Sequence, residues 1–269
     1  MLLSFLQLGQ VDYPTALQLQ QSLVRLRKEN RIGDTLLLLE HEPLLTLGRN
    51  SHRENIVATD EALAQRGVTI YETNRGGDVT YHGPGQLIGY PILDLRSTFA
   101  AQAGSAPLGA RKDSASPATT QPRLGAVDYV RRLEEAIIRT CAEYEVPTQR
   151  VPGRTGVWTA PAPTHPEKKL CAIGVHISAG ITSHGFAFNL STALEDFDLI
   201  IPCGIGDRSV TSLAAEIRPP HALPTMEALG HAVARNLGWA LGRQVLALES
   251  LDALLEVGPA NPTVYTSKN

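Results

Sequence analysis

Cysteine is scarce in this 269-residue chain. The three present, Cys141, Cys171 and Cys203, form no CxxC pair and no zinc-ligand spacing. A disulfide framework and a structural zinc site are therefore excluded, and a reduced, cytoplasmic protein is expected. No run of about 18 apolar residues occurs, so no transmembrane helix is expected. The opening Met1-Leu2-Leu3-Ser4-Phe5-Leu6 is too short for a signal-peptide core and has no basic segment before it. Nor is there an excess of positive charge. The net charge of −3 argues against general nucleic-acid binding. The apolar fraction, 43%, is ordinary for a globular protein, and the length suffices for a large core.

What the chain does have is a charged, glycine-rich stretch, Arg75-Gly76-Gly77-Asp78-Val79-Thr80-Tyr81-His82-Gly83-Pro84-Gly85-Gln86. Its four glycines allow positive φ and close approach of backbone to a ligand. A plain polar hairpin would not need Arg, Asp, Tyr and His between them. Val79, Thr80 and Tyr81 form a β-favouring run inside it, which points to an ordered, partly buried segment. No Lys-Ser or Lys-Thr closes the stretch, so it is not a phosphate-binding loop. A strand-like run follows it, whereas a dinucleotide-binding fingerprint requires a helix there.

Periodicity and caps place the elements around it. Residues 12–28 read as a helix capped by Asp12, with Pro14 in its first turn. Residues 36–39 and 44–47 read as short buried strands. His41, between two carboxylates, reads as a structural hydrogen-bonding group rather than a base. A short helix over 60–65 and a strand over 68–71 precede the glycine-rich stretch, and a strand follows at 87–95. Residues 127–144 form an amphipathic helix with Val130, Leu133, Ile137 and Cys141 inward, which makes Cys141 a core residue. Strands follow at 154–158 and 170–177, and 181–190 pairs with the latter as a hairpin. A short helix over 210–217 and a long one capped by Thr225, with Leu229, Val233, Leu237 and Leu241 on one face, complete the pattern. Residues 97–123 are rich in Ala, Ser, Pro and Gly and read as a flexible surface insertion. One domain over 1–256 with a disordered tail over 257–269 is expected.

Three elements qualify for chemistry: the glycine-rich stretch, Lys169 and Cys203. Cys203, between Pro202 and Gly204 in a turn before a helix, reads equally well as a structural cysteine or as an activated thiolate. Strand alternation puts Lys169 and Cys171 on one face, so Cys171 is a rival nucleophile. Most lysines are simply solvated, and Lys168 reads that way.

Four motifs, RGGDVTYHGPGQLIGYPILDL, KKLCAIGVHIS, TSHGFAFNL and FDLIIPCGI…VTSL, occur in this order. With them the chain resembles the lipoate-protein ligase B family, the octanoyl-acyl-carrier-protein:protein octanoyltransferases, over residues 36–217. The resemblance implies an α/β fold of the α+β type: one biotin/lipoate-ligase-like catalytic domain with a mixed, mostly antiparallel sheet and flanking helices. It implies Cys203 as the acyl-thioester nucleophile and Lys169 as its partner. Substrate-binding segments would be Arg75, Gly76, Gly77, Asp78, Val79, Thr80, Tyr81 and His82, then Ala172, Ile173 and Gly174, then Gly185, Phe186 and Ala187. The implied donor is octanoyl-acyl carrier protein. The implied acceptors are the lipoyl domains of 2-oxoacid dehydrogenases and the glycine cleavage H protein. No metal, cofactor, nucleic acid or membrane is implied. Two other functions stay in play. One is an ATP-dependent lipoate or biotin ligase, which would leave Cys203 unexplained. The other is a non-catalytic acyl-carrier-binding protein, which would retain the apolar slot but would not need both Lys169 and Cys203.

Overall fold

Four leucines in a row, Leu36 to Leu39, leave a strand no side for solvent, so it must sit inside a sheet covered on both faces. The computed structural model, which describes residues 1–97, 124–161, 166–201 and 209–258, puts them there. In chain order the elements begin β1 (Leu2–Gln10), α1 (Tyr13–Lys28), β2 (Asp34–Glu40), β3 (Leu44–Leu47), α2 (Asp60–Gln65), β4 (Thr69–Glu72), β5 (Thr80–His82) and β6 (Gln86–Ile92). Then come α3 (Ala126–Ala142), β7 (Thr148–Val151), β8 (Arg154–Thr159), β9 (Lys169–Ser178), β10 (Ile181–Asn189), α4 (Leu213–Glu216), α5 (Met226–Leu241), β11 (Gln244–Ala247) and α6 (Ala253–Glu256).

Eight strands form one mixed sheet in the order β11-β1-β2-β6-β10-β9-β8-β7. Among the described residues it is parallel only at β1–β11 and β1–β2, and antiparallel elsewhere. Leu36 and Leu38 point to the face covered by α3 and α5, while Leu37 and Leu39 point to the face covered by α1. Each fully buried leucine contributes about 1.5–3 kcal/mol by leaving water. A second sheet, β4-β3-β5, has its own apolar cluster around Leu45, Tyr81 and Phe197.

The predicted helices form for the expected reasons. The Asp12 carboxylate accepts the Thr15 N–H at 2.9 Å, and Thr225 Oγ1 accepts the Ala228 N–H at 3.1 Å. Leu229, Val233, Leu237 and Leu241 are all buried on α5. On α3, Leu133, Ile137 and Cys141 face inward as expected, but Val130 is half-buried and Tyr129 takes the inner position. The hairpin β9–β10 is present, and the helix expected over 210–217 is the single turn α4.

Three strands depart from the pattern. Leu2–Gln10, to which periodicity assigns no element, is the inner strand β1. Leu3 and Phe5 go to one layer and Leu6 and Leu8 to the other, so no simple alternation marks it. The edge strands β7 and β11, four residues each, carried no periodic signal. Of the expected insertion at 97–123, only Ser97 is described. Residues 259–269 of the expected tail also lie outside the described residues, whereas Val257 is described and buried. Among the described residues, no helix is long and apolar enough to cross a membrane.

Candidate active site

The glycine-rich segment leaves β4 and docks on β9, where the shorter β8 has left its edge open. The Gly76 N–H donates to the Val175 carbonyl at 2.9 Å. This contact requires Gly174: a Cβ there would stand 2.7 Å from the Gly76 carbonyl oxygen and 3.2 Å from Arg75 Cδ. Between the two sheets lies a cavity of about 360 Å³. Arg75, Gly76, Gly77, Asp78, Val79, Thr80 and His82 line it from the small-sheet side. Lys169, Ala172, Ile173, Gly174, Gly185, Phe186 and Ala187 line it from β9 and β10. Of the expected site residues, Tyr81 is not in the lining. Alternation on β5 sends Thr80 and His82 to the cavity and Tyr81 to the opposite side, where its hydroxyl donates to Asp196 Oδ2 at 2.7 Å. Cys203, with residues 202–208, lies outside the described residues.

Lys169 and Cys171 do not share a face. Val157 pairs with Cys171 but Trp158, the next residue, pairs with Lys169. Leu170 is thus an extra residue on β9, a bulge of the kind that re-aims side chains. Leu170 and Cys171 both join the core under α3, while Lys169 faces the cavity with Nζ 4.8 Å from the Trp158 ring centroid. Cys171 is fully buried, and burial pushes its thiol well above the ordinary range. This environment disfavours the thiolate that a nucleophile needs. Cys141 is likewise buried in the core, its thiol raised to about 12 by desolvation. Lys168, expected to be solvated, is half-buried, with Nζ 3.9 Å from Glu216.

A directional hydrogen-bond chain crosses the cavity. Arg75 is buried and forks onto Thr46: Nη2 donates to its carbonyl at 2.6 Å and to Oγ1 at 2.8 Å, and Nε to Oγ1 at 3.0 Å. Gln86 Nε2 donates to Asn189 Oδ1 at 2.9 Å, so Gln86 Oε1 must accept from His82 Nδ1 at 2.8 Å. That fixes the tautomer, and His82 Nε2 accepts from the Thr46 hydroxyl at 3.2 Å. The Asn189 amide continues to the Thr211 carbonyl at 2.9 Å, and the Thr211 N–H donates to the Lys169 carbonyl at 2.9 Å. The chain therefore joins the Arg75 end of the site to the backbone of Lys169.

Burial keeps the imidazoles neutral. His82 is pushed down to about 3, first by desolvation and then by the charges of His41 and Arg75. His184 is pushed down to about 4, again by desolvation first and Arg75 second. His41 plays the structural part expected of it, fully buried between the Val11 carbonyl at 2.6 Å and the Tyr90 hydroxyl at 2.8 Å. Sequence reasoning gave no role to Thr46, Gln86, Asn189, His184, Tyr13 or Tyr90. Gln86, Asn189, His184 and Tyr90 all lie inside the four motifs, which was the only signal they offered.

A cavity with a basic end at Lys169, a buried guanidinium, neutral imidazoles and apolar walls suits an acyl group with a reactive carbonyl. The chain belongs to the lipoyl protein ligase A/B catalytic-domain family, whose model matches residues 12–106 and 114–237. Within that family it falls in the lipoate-protein ligase B group. It is 59% identical to an octanoyltransferase of Acidobacterium capsulatum, over 95% of this chain and 96% of the relative. It is 50% identical to one of Koribacter versatilis, over 94% and 90%. In fold it is similar to the bipartite lipoate protein ligase of Thermoplasma acidophilum, with a TM-score of 0.64 at 14% identity over 95% and 91% of the two chains. Similar figures hold for a lipoate-protein ligase A solved with ATP, a TM-score of 0.62 at 13% identity over 95% and 93%.

Proposed function

We propose that the chain is an acyltransferase that takes an octanoyl group from octanoyl-acyl carrier protein and delivers it to the lysine of a lipoyl domain. The observation that carries this is the convergence of Lys169, the glycine-rich segment and the β9–β10 wall on one apolar cavity. Relatives named Octanoyltransferase over nearly the whole chain add weight to it.

In the first step the Cys203 thiolate attacks the donor's thioester carbonyl. A carbon–sulfur bond forms to Cys203, and the carrier's thiol leaves with a proton. One thioester replaces another, so the step costs little. In the second step the acceptor's neutral lysine amine attacks that acyl group, forming the amide and releasing Cys203. The ammonium of Lys169 stabilises the thiolate, and its amine form relays the proton lost by the nucleophile. Each step passes through an oxyanion, for which a fixed donor is worth about 2.7–4 kcal/mol. The Gly77 N–H suits this role: it lies at the cavity and has no hydrogen-bond partner among the described residues.

The acceptors are the lipoyl domains of 2-oxoacid dehydrogenases and the glycine cleavage H protein. The free thiols of Cys141 and Cys171 agree with a reducing cytoplasm. Residues 1–256 make one catalytic domain that carries an insertion at 97–123.

The deciding assay mixes purified protein and lipoyl domain with either octanoyl carrier alone or octanoate plus ATP and magnesium. Modification with octanoyl carrier alone is expected. Modification only with octanoate and ATP would mean a ligase, and tight carrier binding without transfer would mean a binding protein.

A further inference from the structure

Residues 49–58, between β3 and α2, lie outside the cavity lining but hold two stretches beside it. On one side the Arg49 and Asn50 N–H groups donate to the Arg75 and Gly77 carbonyls, at 3.0 and 3.2 Å. On the other, the Val57 N–H donates to the Leu199 carbonyl at 3.0 Å, and Ile56 and Ile200 form an antiparallel bridge. Between these ends His52, Arg53 and Glu54 are exposed. Asn55 is half-buried and joins the two sides in one residue. Its Nδ2 donates to Asp78 Oδ2 at 2.7 Å, and its carbonyl accepts the Ile201 N–H at 2.7 Å. A carboxylate only accepts, so the orientation of the Asn55 amide is fixed. The other Asp78 oxygen accepts the Val79 N–H at 2.7 Å, which orients the carboxylate in turn. The bond between the two side chains is charge-assisted and so of the stronger class. Asp78 lines the cavity, and Ile201 stands two positions before Cys203.

We propose that Asn55 is a positioning residue, which fixes the glycine-rich wall at Asp78 relative to the stretch that leads to Cys203. This rests on the function proposed above, in which Cys203 carries the acyl group. Asn55 is not part of the lining, so its effect passes through Asp78 and Ile201. A misplacement of about 1 Å between reacting groups costs about a hundredfold in rate.

The test exchanges the two side chains in the full-length protein. Asn55→Asp sets a second carboxylate against Asp78 and breaks the bond. kcat/KM for octanoyl carrier should fall about tenfold or more, and the Ile201 amide should exchange faster with deuterium. Asp78→Asn alone loses one of the two bonds of that carboxylate. Combining both substitutions restores the pair with donor and acceptor reversed, and the amide oxygen at position 78 still serves the Val79 N–H. The double variant should regain Ile201 protection and be more active than either single variant. Thermal melts confirm folding. Asn55→Ala, which removes the donor without adding charge, replaces Asn55→Asp as the single-variant test if the latter does not fold. Unchanged kcat/KM, unchanged Ile201 exchange, or a double variant no better than the single ones overturns the proposal. If the wild-type protein transfers nothing from octanoyl carrier, the transferase function fails. Ile201 exchange, lost and regained in the same variants, then still decides whether Asn55 holds the two stretches together.

Discussion

Acidification should destabilise this protein well before its carboxylates titrate. His82 and His184 are buried, with folded-state values of about 3 and about 4 against an ordinary 6.5. A histidine held below its unfolded value contributes stability that is complete above pH 6.5 and is lost as pH falls towards the folded value. Between those limits the unfolded chain binds a proton that the folded one refuses. At about 1.36 kcal/mol per pH unit, lowering the pH from 7 to 5 costs about 2 kcal/mol for each histidine, or about 4 kcal/mol for both. His41, shifted down by the same burial, adds in the same direction. Urea denaturation at pH 7, 6 and 5 measures the loss. His82→Gln and His184→Gln should each flatten the slope by about half of the two-histidine effect, whatever they do to absolute stability. Imidazole resonances of His82 and His184 that titrate near 6.5 in the folded protein, or slopes unchanged in both variants, would refute the reasoning.

Peptide mapping of the trapped acyl-enzyme should find octanoate on Cys203 and none on Cys171; an adduct on Cys171 with Cys203→Ala still active would reverse the assignment. Lys169→Arg keeps the charge but cannot release a proton, so transfer should fall sharply, while Lys168→Arg should be nearly silent. Equal, mild rate changes at the two lysines would make Lys169 only a charge. Gly174→Ala forces a Cβ against the Gly76 carbonyl, and the glycine-rich segment must move: a stability loss of about 1–3 kcal/mol and a large drop in transfer are expected from melts and initial rates. Shortening 97–123 to a few residues should leave melting and transfer from a small thioester largely intact, because loop-closure entropy varies slowly with length. Loss of transfer from the whole carrier alone would make the insertion a docking element.

The helices were legible because each carries its own cap and stripe: Asp12 for α1, Thr225 for α5. The leucines of β2 announced a strand buried on both faces. β1 was hidden by the same circumstance: a strand with apolar residues on both faces has no polar–apolar period, and no turn signal before Leu2 marks its boundary. β7 and β11 exist because the sheet offers them an edge, a tertiary cause that four residues cannot display. At the site, residue types pointed to the glycine-rich segment and Lys169. The bulge at Leu170 was invisible because it is defined by what Val157 and Trp158 do opposite it. The chain from Arg75 to Lys169 was equally hidden. Gln86 and Asn189 lie 103 positions apart, and only the adjacency of β6 and β10 makes them neighbours.

The parallel pairing of β11 with β1 has a consequence for biosynthesis. During translation β1 is made before the strand that closes its outer edge, Gln244–Ala247, which follows about 230 residues later. At 5–20 residues per second, that edge stays open for about 12–50 s. It belongs to a leucine-rich strand, the kind of surface that recruits other nascent chains. A chain truncated between Asn189 and Gln244 would carry Lys169 and the glycine-rich segment already synthesised and one adhesive flank. Such a product is expected to be lost to aggregation rather than to a defect in its chemistry.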